Sequence, residues 1–246
     1  MMNEPDSPNP VVLVSGASSG IGAAICRLLV ARQFRVVAAA RNQDRLQQLA
    51  AELGDALYPL VLDVTDSAAV SDVQQALPQE FGQVEVLINN AGHDVGGRRL
   101  FEAGSAEQWC DIIETNVQGT IRLTHALIDS MLARGSGHVV NMGSIAGLKP
   151  YATGTAYVSS KYAIHGFSES LRLDYAGRGI RVTEIMPGLV RSGFAGQRLG
   201  DEQQAEAFYD SFEQCLQPQD VAETVLYALQ QPRHVEIAQL VVLPVS

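Results

Sequence analysis

The sequence predicts an α/β fold: a single domain built on a doubly wound parallel sheet with helices on both faces. Two observations carry this reading. Short apolar runs of strand type alternate with segments of helical period along nearly all of the 246 residues. The first of those runs also leads through a glycine-rich turn straight into a helix. Strands that alternate with helices, without an internal repeat, form a parallel sheet whose two faces are both covered.

The elements follow in order. Val11–Val14 is the first strand, and Ile21, Ile25, Leu28 and Leu29 recur behind it at helical spacing. Phe34–Ala40 is the second strand, and Leu46, Leu49 and Leu53 mark a helix that Gly54 stops. Leu57–Val61 and Val84–Ile88 are the third and fourth strands. One long helix is expected over about 107–134, ended by Gly135, with strand His138–Met142 after it. A second covers about 156–176, with Ile164, Phe167, Leu171 and Tyr175 on one stripe. Val182–Met186 and Leu240–Leu243 complete the sheet. Residues 193–212 are irregular and read as a loop and short helix inserted before the last helix. Met1–Pro10 is polar and proline-bearing, a disordered tail ahead of a domain spanning 11–246.

Composition narrows the function. A net charge of −10 argues against a nucleic-acid partner, which would want a basic stripe. No apolar stretch is long enough to span a bilayer, and the first residues lack the pattern of a signal peptide. Cys26, Cys110 and Cys215 are few, odd in number and scattered, as expected for reduced thiols in the cytoplasm. His93, His125, His138, His165 and His234 are dispersed without ligand spacing, so no metal is expected.

The turn Ser15-Gly16-Ala17-Ser18-Ser19-Gly20-Ile21-Gly22 has the context of a dinucleotide site: strand before, helix after. Gly16 permits the tight turn. Gly20 and Gly22 are expected to admit a pyrophosphate to the helix N-terminus, where free N–H groups favour anions. Ser18, Ser19 and Ile21 belong to the same cradle. At the end of the second strand, where an NAD site usually has an acid, the chain has Ala38-Ala39-Ala40-Arg41. A guanidinium there suits the 2′-phosphate of NADP(H).

Tyr157 and Lys161 are four residues apart, on one face of a helix, and Ser144 lies thirteen residues upstream of the tyrosine. One positive charge at ~4 Å, with an effective dielectric of ~20, is worth up to about 4 kcal/mol. That would lower a phenol by roughly three pKa units, into the range useful for proton transfer.

Gly16, Gly20 and Gly22, Asn89-Asn90-Ala91-Gly92, Asn116, Ser144, Tyr157 with Lys161, and Pro187-Gly188 together resemble the short-chain dehydrogenase/reductases in order and spacing. The resemblance runs from Val11 to the C-terminus, with Ser15 and Ser192 standing where threonine is usual. It implies a Rossmann-type fold and a tetrad of Asn116, Ser144, Tyr157 and Lys161, the asparagine holding a proton-relay water. It places Asp63 and Val64 at the adenine and Asn90, Ala91 and Gly92 at the adenosine ribose. Lys161 falls at the nicotinamide ribose, with Tyr157 beside it, and Pro187, Gly188 and Val190 flank the nicotinamide, with Ser192 nearby. It implies a substrate lid over 193–212. It also implies a homotetramer, for which Ile121, Leu127 and Met131 offer either interface or core.

Within that family the chain is similar to bacterial NADP-dependent 3-hydroxy acid and serine dehydrogenases. The shared segments are Arg41-Asn42-Gln43-Asp44-Arg45-Leu46, Pro150-Tyr151-Ala152, Pro187-Gly188-Leu189-Val190 and Leu243-Pro244-Val245. The chain ends at Ser246, where those enzymes continue with a short tail. The implied reaction moves a hydride between the nicotinamide and a small polar alcohol or carbonyl, such as a 3-hydroxy acid. Sulfoacetaldehyde and clavulanate-type aldehyde reductases share parts of the pattern, and a non-catalytic NADP-sensing module is the alternative from another class. A sugar-nucleotide epimerase would want a larger C-terminal domain. Arg191 and Arg198 on the lid are the candidates to grip an acidic substrate, with Tyr151 and His93 at its mouth.

Overall fold

The structure, a computed structural model, describes residues 9–245. Seven strands form one sheet in the order β3-β2-β1-β4-β5-β6-β7. They are β1 (Val11–Ser15), β2 (Arg35–Ala40), β3 (Leu57–Val61), β4 (Val84–Asn89), β5 (Gly137–Met142), β6 (Ile180–Pro187) and β7 (Gln239–Val242). Every adjacent pair is parallel. The order reverses between β1 and β4, and the crevice at such a switch point is where doubly wound sheets bind ligands.

Alternation along β1 shows why both faces are covered. Val12 and Val14 join a core with Ile25 and Leu29 of α1 (Gly20–Ala31), Leu46 and Leu49 of α2 (Gln43–Leu53), and Val221 and Val225 of α9 (Pro218–Leu229). Val11 and Leu13 point the other way, to Val70 of α3 (Ser67–Ser71), Leu123, Leu127 and Met131 of α5 (Thr120–Arg134), and Leu171 of α6 (Thr155–Asp174). Leu127 and Met131 are thus core, while Ile121 stays exposed.

The expected long helix over 107–134 is broken. α4 (Ala106–Ile113) runs through a π-helical turn, Glu114–Gly119, into α5. The Asn116 side chain is tied to the backbone of His93 and to Ser160, and a Cβ on Gly119 would lie 2.6 Å from Val64 Cγ2. These contacts hold the turn wide, as at many functional sites. Gly135 ends the helix as expected, with a left-handed φ of 66°.

Two further boundaries differ from expectation. Residues 193–212 hold two helices, α7 (Phe194–Leu199) and α8 (Glu202–Asp210), the second capped by Asp201. Residues 1–8 of the expected tail lie outside the described residues. Asn9 and Pro10 belong to the fold: Pro10 is buried, its carbonyl accepts the Arg35 amide at 3.1 Å, and the Asn9 carbonyl accepts Arg35 Nε at 3.0 Å. Among the described residues, no helix is long and apolar enough to cross a membrane, and no group of side chains could hold a metal ion.

Candidate active site

A cleft of about 930 Å³ opens at the C-terminal ends of the strands, around the switch between β1 and β4. One end is built by the turn after β1. Ser15 Oγ accepts the amides of Asn90 and Ala91, both at 3.0 Å, and the Asn90 amide donates to the carbonyls of Ser15 and Gly16 at 3.0 and 3.3 Å. A Cβ on Gly16 would meet Ala91 Cα at 2.8 Å, and its φ of +66° also favours glycine. Ser18, Ser19, Gly20 and Ile21 line the cleft beside it. Ser19, the N-cap of α1, makes no side-chain cap, and the first turn carries no acid, so the helix end is free to face an anion.

Gly22 departs from its expected role. It is buried behind the turn and does not line the cleft; a Cβ there would lie 2.3 Å from the Gly16 carbonyl oxygen. It lets the helix pack onto the turn.

Arg41 and Arg45 line the same end, with Asp63 and Val64 across from them. Asn42 caps α2 by accepting the Arg45 amide at 2.9 Å. No acid follows β2, but Asp63 reaches Arg41 from the neighbouring strand, at 3.9 Å. The Arg41 side chain is 68% exposed, so that pair is weak and the guanidinium remains available. Asp63 is also engaged locally, accepting the Thr65 amide and hydroxyl at 2.9 and 2.8 Å.

Ser144, Tyr157 and Lys161 converge at the other end. Ser144 follows β5 and its hydroxyl draws the pKa of the Tyr157 phenol down, while its Oγ accepts the Ala146 amide at 3.1 Å. Phe194 of the lid packs edge-on against the tyrosine ring at 5.4 Å. Lys161 is buried, donates a hydrogen bond to the Met142 carbonyl at 2.8 Å, and lies 5.6 Å from the centre of the tyrosine ring.

The expected lowering of the phenol is overturned. Burial pushes Tyr157 above its ordinary value, and the hydrogen bond to Ser144 only partly opposes this. The ammonium lies over the tyrosine ring and is anchored to the Met142 carbonyl. Lys161 itself is lowered to about 8 by burial, with the carboxylate of Glu184 pulling the other way.

Asn116 sits behind the cleft and does not line it. Its Oδ1 accepts the His93 amide at 2.9 Å; its Nδ2 donates to the His93 carbonyl and Ser160 Oγ, both at 3.0 Å. Its main-chain carbonyl accepts the Thr120 hydroxyl at 3.0 Å. The geometry makes it a positioning residue for the His93 loop and for α6.

The substrate candidates separate clearly. Arg191 does not line the cleft. Its guanidinium is bound by Glu206 at 2.7 Å and Asp210 at 2.6 Å and lies over Tyr209, within the lid. Arg198 does line it, packed over Tyr151 with its Nε 2.8 Å from Asp94 Oδ2. That contact is a close ion pair without hydrogen-bond alignment, since both atoms lack an aligned partner. His93 and Tyr151 also line the cleft, and burial lowers the histidine. Pro187, Gly188, Val190 and Ser192 border it from β6 onward.

Three contributors escaped the sequence reading. Asp94 gave no signal beyond following the Asn-Ala-Gly run. Arg98 lines the mouth of the cleft, exposed and in no ion pair within 4 Å among the described residues. Glu184, fully buried in β6, was visible as a carboxylate inside an apolar strand.

Residues 10–203 match the model of the family described as short chain dehydrogenase. This chain belongs to that family. The short-chain dehydrogenase is 40% identical over 238 residues to the NADP-dependent 3-hydroxy acid dehydrogenase YdfG of Escherichia coli (strain K12), covering 96% of this chain and 95% of that one. It is 34% identical to the serine 3-dehydrogenase of Agrobacterium fabrum (strain C58 / ATCC 33970), over 96% and 94% of the two chains. Among solved structures it superposes on a closed form of serine dehydrogenase complexed with NADP+, with a TM-score of 0.91 and 40% identity over 94% of this chain and 93% of that one.

Proposed function

We propose that this short-chain dehydrogenase moves a hydride between NADP(H) and a small polar alcohol or its carbonyl partner, with a 3-hydroxy acid as the preferred substrate class. The observation that carries the reading is one cleft with an uncapped helix end and Arg41 at one side and Ser144, Tyr157 and Lys161 at the other. The cofactor fits these residues: free amides at α1 for the pyrophosphate, Arg41 and Arg45 for the 2′-phosphate, and Asn90-Ala91-Gly92 for the ribose. When bound it supplies or accepts the hydride. The relatives named for NADP and for 3-hydroxy acids or serine support the same assignment.

Ser144 holds the substrate oxygen beside Tyr157. In reduction, Tyr157 donates its phenolic proton to that oxygen, and a phenol raised by burial keeps its proton at neutral pH. In oxidation it takes the proton back. Lys161 holds the nicotinamide ribose, and its charge favours the phenolate as that forms. Phe194 closes the lid side of the tyrosine and excludes water. Asn116 keeps this arrangement in place from behind.

Arg198 grips the acidic group of the substrate, sharing its charge with Asp94, and Arg98 draws that group in at the mouth. A panel of small hydroxy acids, alcohols and aldehydes, assayed with NADP and NADPH, tests the substrate class; preference for bulky apolar ketones would overturn it. Arg198→Ala is expected to raise KM for 3-hydroxypropionate by about tenfold or more, ~1.4 kcal/mol, and for neutral 1,3-propanediol by much less. Arg191→Ala should leave the ratio of the two unchanged. Equal effects of Arg198→Ala on both substrates would rule the acidic contact out.

The assembly is a cytoplasmic homotetramer. Support comes from the exposed apolar residues Leu173, Val241, Leu243 and Val245, which would be covered between copies. Sedimentation at micromolar concentration is expected to read four chains; a monomer alone would contradict this.

A further inference from the structure

Lys161 and His165 lie one turn apart on α6; His165 meets Glu184 in the middle of β6, and the Glu184 charge acts on Lys161. The Glu184 side chain is fully buried, between Asn141 of β5 and Gln239 of β7 in strand register. Its Oε2 meets His165 Nδ1 at 2.8 Å, while its Oε1 has no hydrogen-bond partner among the described residues. That oxygen lies beneath Gly143, where a Cβ would come within 2.3 Å of it. Gly143 in turn joins Met142, whose carbonyl anchors Lys161 Nζ, to Ser144. One carboxylate therefore backs the segment that carries both the lysine anchor and the serine. A buried carboxylate with one oxygen left without a partner is costly, and a neutral side chain would pack there more cheaply.

We propose that Glu184, held by His165, is a positioning residue that keeps the Lys161 ammonium charged and seated on the Met142 carbonyl. The proposal rests on the reading that Lys161 acts as a cation in the cleft. Burial drives Lys161 down, to about 8 even with the carboxylate of Glu184 opposing it. Tyr157 is the other titratable group beside the lysine. Around Glu184, burial raises the carboxyl, His165 and Lys161 lower it, and Glu169 raises it. The sign follows: removing the carboxylate lowers the lysine further, so the cation is lost at lower pH. His165 is 24% exposed and ties the buried carboxylate toward the surface.

The test is the pH profile of kcat/KM for the full-length enzyme with NADPH and its best carbonyl substrate. The unmodified enzyme is expected to lose activity as pH rises through about 8. Glu184→Gln should move that limb about one pH unit toward acid. Activity near pH 6 should stay within about threefold, while that near pH 9 falls about tenfold relative to the unmodified enzyme. Should Glu184→Gln fold poorly, His165→Leu should shift the limb the same way by less, and His165→Asn, which keeps a donor near the Nδ1 position, should restore it. A uniform loss at every pH, or an unmoved limb, overturns the proposal. An unmodified enzyme with no alkaline limb, together with an active Lys161→Met variant, would instead overturn the reading of Lys161 itself.

Discussion

Tyr157→Phe is expected to lower kcat/KM by about three orders of magnitude, within the range that positioned acid–base groups contribute. Phenylalanine keeps the ring against Phe194 and under the Lys161 ammonium, so the cleft retains its shape. What disappears is the phenolic proton, and with it the interaction with Ser144. NADP(H) affinity should change by less than about threefold, because the pyrophosphate and 2′-phosphate contacts lie at the far end of the cleft and Lys161 still holds the nicotinamide ribose. Stability should change by about 1 kcal/mol or less, the worth of one hydrogen bond. Stopped-flow hydride transfer and fluorescence titration read the two effects separately. Retention of a tenth or more of the rate would remove the tyrosine from the proton path.

Arg41→Ala carries the second largest effect. The unmodified protein should prefer NADP(H) over NAD(H) by at least about tenfold, ~1.4 kcal/mol, which a guanidinium–phosphate contact can supply. The variant should lose most of that preference by weakening NADP(H), with NAD(H) affinity nearly unchanged. Asp63, 3.9 Å from Arg41, competes for the same charge. Asp63→Asn is therefore expected to leave NADP(H) binding intact or slightly stronger. Because Arg41 is exposed, the preference should also shrink at high salt. Equal use of both cofactors by the unmodified protein would refute the role of Arg41.

The sheet was readable because buried parallel strands leave continuous apolar runs. Val84–Ile88 and His138–Met142 fall wholly within β4 and β5, each one residue short of the full strand. The break between α4 and α5 left no such trace. Periodicity continues through it, and what opens the turn is the tie from Asn116 to His93, distant in sequence. Spacing alone brought Ser144, Tyr157 and Lys161 together, because helix geometry fixes the last two. It gave the wrong sign for the phenol, since how deeply a cleft desolvates a side chain depends on segments such as the lid that close over it. The same limit separates the two lid arginines. Arg191 and Arg198 look alike in sequence, but partners on α8 take the first and Asp94 meets the second within the cleft.

Direct hydride transfer is the central claim, and one isotope measurement reads it. Purified protein incubated with NADPH bearing deuterium at the transferring nicotinamide carbon, and with the semialdehyde of 3-hydroxypropionate, should yield the alcohol one mass unit heavier, with one molecule of labelled product for each NADPH consumed. Tight NADPH binding with no deuterium in the product, across small acidic and neutral carbonyls alike, would contradict the account and leave a nucleotide-binding protein without this chemistry.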